Sequence, residues 1–213
     1  MNTQDSTLNY YDNNAQEFVE NTFSVDTTET ITRFVKKIPF GGEILDVGCG
    51  SGRDSKCFLE LGYKVTAFDA SKEIANIAAE KISHPVLHLQ VQEITWENKF
   101  DGVWAMASLL HLPKDDIPNA IEKCIGALKE GGTFFASFKS GEGESFDNKG
   151  RYFSYFNIEE LNSIMENIPE INNFKVSYSG TEDALKRDVT WINIIAIKEP
   201  ALILNKTTKH KFN

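Results

Sequence analysis

Two carboxylates and three glycines are the first residues whose types and spacing suggest chemistry. Asp46 sits within a short apolar run, Ile44, Leu45 and Val47, and glycines follow at alternate positions, Gly48, Gly50 and Gly52. Arg53 and Asp54 come next, and Asp69 stands 23 residues beyond Asp46. An apolar run of this kind forms a strand buried on both faces. A glycine turn after such a strand is where open α/β sheets receive ligands.

The details of the turn narrow the ligand. No Gly-Lys-Ser/Thr follows, which excludes a P-loop. The dinucleotide pattern G-x-G-x-x-G is also missed, because the third glycine falls one place early and Arg53 occupies its position. Asp46 would place a carboxylate against any diphosphate held at the turn. It suits instead a ligand that carries an ammonium and a sulfonium. A plainer role, tying the glycine loop through backbone N–H groups, is compatible with that one. Asp69 can accept hydrogen bonds from both hydroxyls of a ribose, a job common to NAD and S-adenosylmethionine sites.

These residues need elements to position them. Apolar residues at Leu8, Tyr11, Ala15, Phe18 and Val19 predict a helix over Leu8–Asn21, and Asp26 with Glu29 predicts the capped start of a second, running to about Lys37. Residues 1–38 are thus expected as a helical cover ahead of the core. Strands are expected at Lys64–Asp69, Val86–Val91, Phe100–Ala105 and Thr133–Phe138. Helices are expected at Ser55–Leu61, Lys72–Ile82 with Ser71 as N-cap, and Ile117–Leu128. This is the βαβ alternation of a parallel, doubly wound α/β sheet. Ser140–Gly150 reads as a polar glycine loop and candidate lid. Asn157 with Glu160 opens a further helix, and Phe174–Ser179 and Trp191–Lys198 read as an antiparallel pair.

Ile44-Leu-Asp-Val-Gly-Cys-Gly-Ser-Gly52, Phe68-Asp-Ala-Ser71, Phe100-Asp-Gly-Val-Trp-Ala105 and Leu128-Lys-Glu-Gly-Gly132 resemble successive motifs of class I S-adenosylmethionine-dependent methyltransferases. The Gly-Arg-Asp-Ser ending of the first motif resembles the tellurite-resistance-type branch. The resemblance implies a Rossmann-like three-layer sandwich whose seven-stranded, mostly parallel sheet has the order 3-2-1-4-5-7-6, with strand 7 antiparallel. It implies one domain over residues 1–199 followed by a tail, 200–213. Cofactor contacts are implied for Asp46, Gly48, Cys49, Gly50 and Arg53 at the turn, and for Asp69, Ala70 and Ser71 after the second strand. Gln90, Val91 and Gln92 would edge the adenine, and Ala105 and Met106 would line the methionine side. Tyr11, or its neighbour Tyr10, resembles an N-terminal tyrosine that closes over the cofactor; helix packing is the competing reading.

Methyl transfer from a sulfonium needs positioning above all, and a base only for a nucleophile of high pKa. His111, after the fourth strand, is the candidate catalytic residue, set against the plainer role of ordering its own loop. Lys139, Glu142, Arg151 and Tyr152 are candidate substrate contacts, although a solvated lysine and an aromatic staple onto the next helix compete for two of them. The four histidines show no shared ligand spacing, so no metal is expected. A net charge of −9 over 213 residues argues against general nucleic-acid binding. Three cysteines without CxxC pairing fit reduced thiols in a cytoplasm, and no apolar run approaches a membrane span. The expectation is a cytoplasmic enzyme using S-adenosylmethionine, with S-adenosylhomocysteine as product, on a small or medium-sized acceptor. An RNA or protein methyltransferase, a non-catalytic cofactor binder and an NAD-dependent oxidoreductase are the alternatives.

Overall fold

In the computed structural model, which describes residues 3–180 and 189–200, nine strands and seven α-helices surround one main sheet. The strands are β1 (Glu43–Val47), β2 (Lys64–Asp69), β3 (Val86–His88), β4 (Phe100–Ala105), β5 (Leu128–Lys139), β6 (Glu144–Phe146), β7 (Tyr152–Ser154), β8 (Ile171–Ser179) and β9 (Trp191–Lys198). The helices are α1 (Thr3–Asn13), α2 (Ala15–Thr22), α3 (Thr28–Val35), α4 (Arg53–Glu60), α5 (Lys72–Ile82), α6 (Ile117–Ala127) and α7 (Ile158–Glu166). The main sheet has the order β3-β2-β1-β4-β5-β9-β8. Counting only its seven strands, that order is 3-2-1-4-5-7-6, and β9 runs antiparallel to both neighbours.

Both faces of the sheet are covered, which is why β1 and β4 read as continuous apolar runs. On one face Ile31 and Phe34 of α3 and Phe58 of α4 pack with Trp104 and Phe135. On the other, Ile121 and Ile125 of α6 and Leu161 and Met165 of α7 pack with Val103, Phe134 and Ile194. Gly102 of β4 allows the close approach of α3, since a Cβ there would lie 2.3 Å from Ile38 Cδ1 and 2.8 Å from Phe34 Cζ. Among the described residues no helix is long and apolar enough to cross a membrane.

Several expected boundaries move. The single N-terminal helix is two, α1 and α2, broken at Asn14. Thr27, not Asp26, is the N-cap of α3; Asp26 accepts from the Thr28 N–H at 2.9 Å, and Glu29 pairs with Arg33 one turn on. β3 stops at His88 rather than Val91, and a short 3₁₀ turn, Val91–Glu93, leads on toward β4. Trp96 follows that turn, its ring 6.4 Å from Phe68 and 5.5 Å from Phe100. Gly131 and Gly132 do not end α6. They lie in an excursion of β5, whose pairing with β4 jumps from Phe100–Leu128 to Gly102–Thr133. The glycine loop contains strand structure, because β6 pairs with β7 as a hairpin. Residues 181–188, between β8 and β9, and all but the first residue of the expected tail lie outside the described residues.

Candidate cofactor and acceptor site

The glycine turn after β1 is built from backbone that few side chains tolerate: Gly48, Gly50 and Gly52 all have positive φ, at 66°, 54° and 75°. A Cβ at Gly48 would also stand 2.6 Å from the Cβ of Ser108. Two bonds stitch the turn to β2. Cys49 N–H donates to the Phe68 carbonyl at 2.9 Å, and Gly50 N–H donates to Asp69 Oδ2 at 2.9 Å. Asp69, rather than Asp46, therefore ties the loop. Asp46 is 2% exposed and accepts from Ser55 Oγ of α4 at 2.6 Å. Its neighbour Asp54 is a structural hub: Thr27, Trp104 and both Arg53 nitrogens Nε and Nη2 donate to it at 2.7–3.0 Å.

A cavity of about 140 Å³ opens between this turn, the end of β2 and the N-terminal helices. The structure brings Tyr11, Gly48, Gly50, Asp69, Ala70, Gln90, Val91, Gln92 and His111 together along its wall. Among the described residues Asp69 is the single charged one in that lining. Burial raises its carboxyl to about 6, against the pull of the Ser71 and Gly50 N–H groups. A larger groove of about 960 Å³ continues past the turn; it takes in Asp46, Cys49, Arg53, Met106, Lys139 and Arg151, and shares Tyr11, Gly48, Gly50 and His111.

Four expected contacts line neither space. Ala105 is wholly buried in the core, and Ala107 takes its place in the lining. Ala107 has φ of 52°, a left-handed geometry that turns the chain off β4 into the cavity, and its N–H is fixed on Ser137 Oγ at 2.8 Å. Ser71 caps α5, accepting from Ile74 N–H at 3.2 Å and donating to Asp12 Oδ1 at 2.5 Å. Glu142 is exposed in the loop. Tyr152 is buried and acts through its backbone.

That backbone locates His111. Buried Leu109 and Leu110 anchor a 3₁₀ turn that carries the ring inward. Nδ1 donates to the Tyr152 carbonyl at 2.7 Å, so Nε2 is the accepting nitrogen and Tyr11 OH donates to it at 2.9 Å. Burial holds the imidazole neutral, its pKa down to about 4, and raises the Tyr11 phenol to about 12. The phenol thus lines both the cavity and the groove beside it. Further hydrogen bonds pin the same helix: Ser6 Oγ to Gly150 O at 2.8 Å, Tyr152 N–H to Thr7 Oγ1 at 2.8 Å, and Ser71 to Asp12. Leu8, Phe18, Ala107 and Ser108 were not singled out by sequence reasoning. Phe18 gave only a helical-face signal, and nothing in its spacing says that this helix lies over the glycine turn.

The lining fits a cationic nucleoside. It offers a carboxylate, apolar walls in Val47, Phe68 and Ile74, and, among the described residues, no lysine or arginine to hold a diphosphate. The buried Ser108 hydroxyl in the same wall has no partner among the described residues, a polar atom waiting for a ligand group.

Residues 44–132 match a family model described as a methyltransferase domain. A ubiquinone biosynthesis O-methyltransferase from Xanthomonas campestris pv. campestris is 34% identical over 104 residues, 46% of this chain and 43% of that protein. The chain thus matches less than half the length of that curated relative. Among solved structures, the 1,6-didemethyltoxoflavin-N1-methyltransferase of Burkholderia thailandensis, with its substrate and S-adenosylhomocysteine bound, aligns with a TM-score of 0.68 at 20% identity, covering 91% of each chain. Phosphoethanolamine N-methyltransferase 2 of Haemonchus contortus, in complex with S-adenosyl-L-methionine, aligns with a TM-score of 0.72 at 14% identity, over 94% of this chain and 60% of that one. At these identities the structural likenesses establish the fold.

Proposed function

We propose that the protein is a cytoplasmic S-adenosylmethionine-dependent methyltransferase, one domain over residues 1–199, acting on a small-molecule acceptor. The observation that carries the reading is the cavity beside the glycine turn, with Asp69 as its single charge and no cation in its lining among the described residues. The match of residues 44–132 to a methyltransferase domain supports it. Within that class, the Gly52-Arg53-Asp54-Ser55 ending of the turn supports the tellurite-resistance-type branch.

Asp69 would accept from the ribose hydroxyls, and Ala70 with Gln90–Gln92 would edge the base. Asp46 and Asp69 favour a positive charge between them and the turn. When bound, S-adenosylmethionine supplies a methyl group on a sulfonium, which an acceptor's lone pair takes in line as the carbon–sulfur bond breaks and sulfur keeps the pair. Tyr11 closes the cavity and His111 holds Tyr11. The Tyr11 hydroxyl stands on Nε2, so a proton passing from an acceptor to the imidazole goes through that hydroxyl.

Thermal shift against S-adenosylhomocysteine and NADH tests the reading. Binding adds stability in proportion to the logarithm of ligand over dissociation constant. Stabilisation by S-adenosylhomocysteine and none by NADH is expected. The reverse result would establish a nicotinamide enzyme in place of a methyltransferase.

A further inference from the structure

The turn between β6 and β7 is closed by bonds among its own residues. Asp147 N–H donates to the Arg151 carbonyl at 2.9 Å, and Gly150 N–H donates to the Asp147 carbonyl at 3.0 Å. The Asp147 carboxylate accepts from the backbone N–H groups of Lys149 and Arg151, both at 2.9 Å. It also accepts from the Arg151 side chain, Nε at 2.9 Å and Nη2 at 2.7 Å. Lys149 and Arg151 line the larger groove. Among the described residues, none of this turn lines the smaller cavity, whose wall takes Thr7, Leu8 and Tyr11 from α1.

One face of α1 docks on that turn. Ser6, Thr7, Tyr10 and Tyr11 recur at the four-residue spacing of a helical stripe. Ser6 Oγ donates to the Gly150 carbonyl, and Thr7 Oγ1 accepts from the Tyr152 N–H, each at 2.8 Å. The Tyr10 ring centre lies 5.1 Å from Arg151 Cζ. The Arg151 guanidinium also hydrogen-bonds the Tyr11 hydroxyl. That oxygen therefore accepts from Arg151 and donates to His111 Nε2, while His111 Nδ1 donates to the Tyr152 carbonyl. The chain of bonds returns to the residue after Arg151. A cation on the phenol oxygen polarises its O–H and strengthens the bond to the neutral imidazole. Arg151 is 8% exposed, and a guanidinium buried that far is held by its partners.

We propose that the Asp147–Arg151 turn is a socket for α1, and that Arg151 is a positioning residue which, through the Tyr11 hydroxyl, sets how firmly the cofactor cavity is walled. The cavity wall is then fixed from the hairpin that borders the larger groove, which couples the two spaces. The cofactor half of this rests on the methyltransferase reading above. Hydrogen exchange of the α1 amides in the ligand-free full chain, and calorimetry with S-adenosylhomocysteine, test it. Arg151→Met and Tyr11→Phe are each expected to speed α1 exchange, and to raise the dissociation constant, about 3- to 10-fold. The double variant is expected to do no more than the larger of its members, because both remove one contact. Arg151→Lys keeps a cationic donor and is expected to fall between wild type and Arg151→Met. Effects that multiply in the double variant, wild-type behaviour of Arg151→Met, or a lysine variant as impaired as methionine overturns the role of Arg151. Ser6→Ala leaves the socket whole and guards against misfolding of the arginine variants. It is expected to speed α1 exchange about 3-fold, and unchanged exchange overturns the socket. If the wild-type protein does not bind S-adenosylhomocysteine, the cofactor reading falls, while the exchange rates still decide for or against the socket.

Discussion

Burial raises the carboxyl groups on the two sides of the glycine turn, Asp69 to about 6 and Asp46 to about 7, with Asp54 adding its repulsion at Asp46. Raised carboxylate pKa values mean that the empty fold is favoured below the ordinary carboxylate range and loses that advantage as pH rises through 6 and 7. A cationic ligand restores it. The thermal stabilisation by S-adenosylmethionine is therefore expected to grow between about pH 5.5 and about pH 8, more steeply than that by the uncharged thioether product. A pH-independent gap between the two would refute the role given to these carboxylates. His111 has the opposite sign: its lowered pKa adds stability above 6.5 that is lost as pH falls toward 4. An activity limb near 6.5 is accordingly not expected from His111. Tyr11→Phe removes the donor to Nε2, and a rise of about 3- to 10-fold in the cofactor dissociation constant is expected by calorimetry, with folding intact. Asp46 and Asp69 were singled out by residue type and spacing, and Tyr11 only through the family resemblance. The bent backbone at Ala107 and the tautomer of His111 were not, since both depend on chain packed in from far along the sequence.

At the scale of elements, the end of α6 is held by a distant strand. Lys198 of β9, 6% exposed, donates to the Leu128 carbonyl at 2.9 Å, to Asn98 Oδ1 at 3.0 Å and to the Gly126 carbonyl at 3.4 Å. Lys198→Met strips these buried acceptors of their donor, and a loss of about 2–4 kcal/mol in urea unfolding is expected. Gly102→Ala forces a methyl group into Ile38 and Phe34, with an expected loss of about 1–3 kcal/mol. An unchanged midpoint in either variant would show that the contact relaxes freely. Hydrophobic period and, at β2, α5 and β9, a nearby cap or proline were enough to place β2, β4, α5 and β9 to the residue, because each is apolar on the faces it buries. The β6–β7 hairpin escaped because its strands are three residues each and one of them is fully exposed. β3 is shorter than the expected Val86–Val91 because its last residues turn into the 3₁₀ segment Val91–Glu93.

For the molecule as a whole, α1 is an added part that the sheet does not need for its core but the cavity needs for its wall. Deleting residues 1–14 is expected to leave a cooperative thermal transition while cofactor affinity falls at least about 10-fold, read by calorimetry. Loss of the transition itself would show that the cover belongs to the fold. The pinning of α1 has a consequence for timing. The hydrogen bonds at Ser6, Thr7, Tyr11 and Asp12 hold it over the cavity, and at about 1 kcal/mol for each of these four its excursions are at least of order a thousandfold rarer than its resting pose. Tyr10 and Tyr11 of the same helix also line the larger groove. For the proposed methyltransferase this arrangement predicts an ordered sequence, donor bound before acceptor and thioether product released last, read by product-inhibition kinetics; random order would show that the helix does not time the cycle.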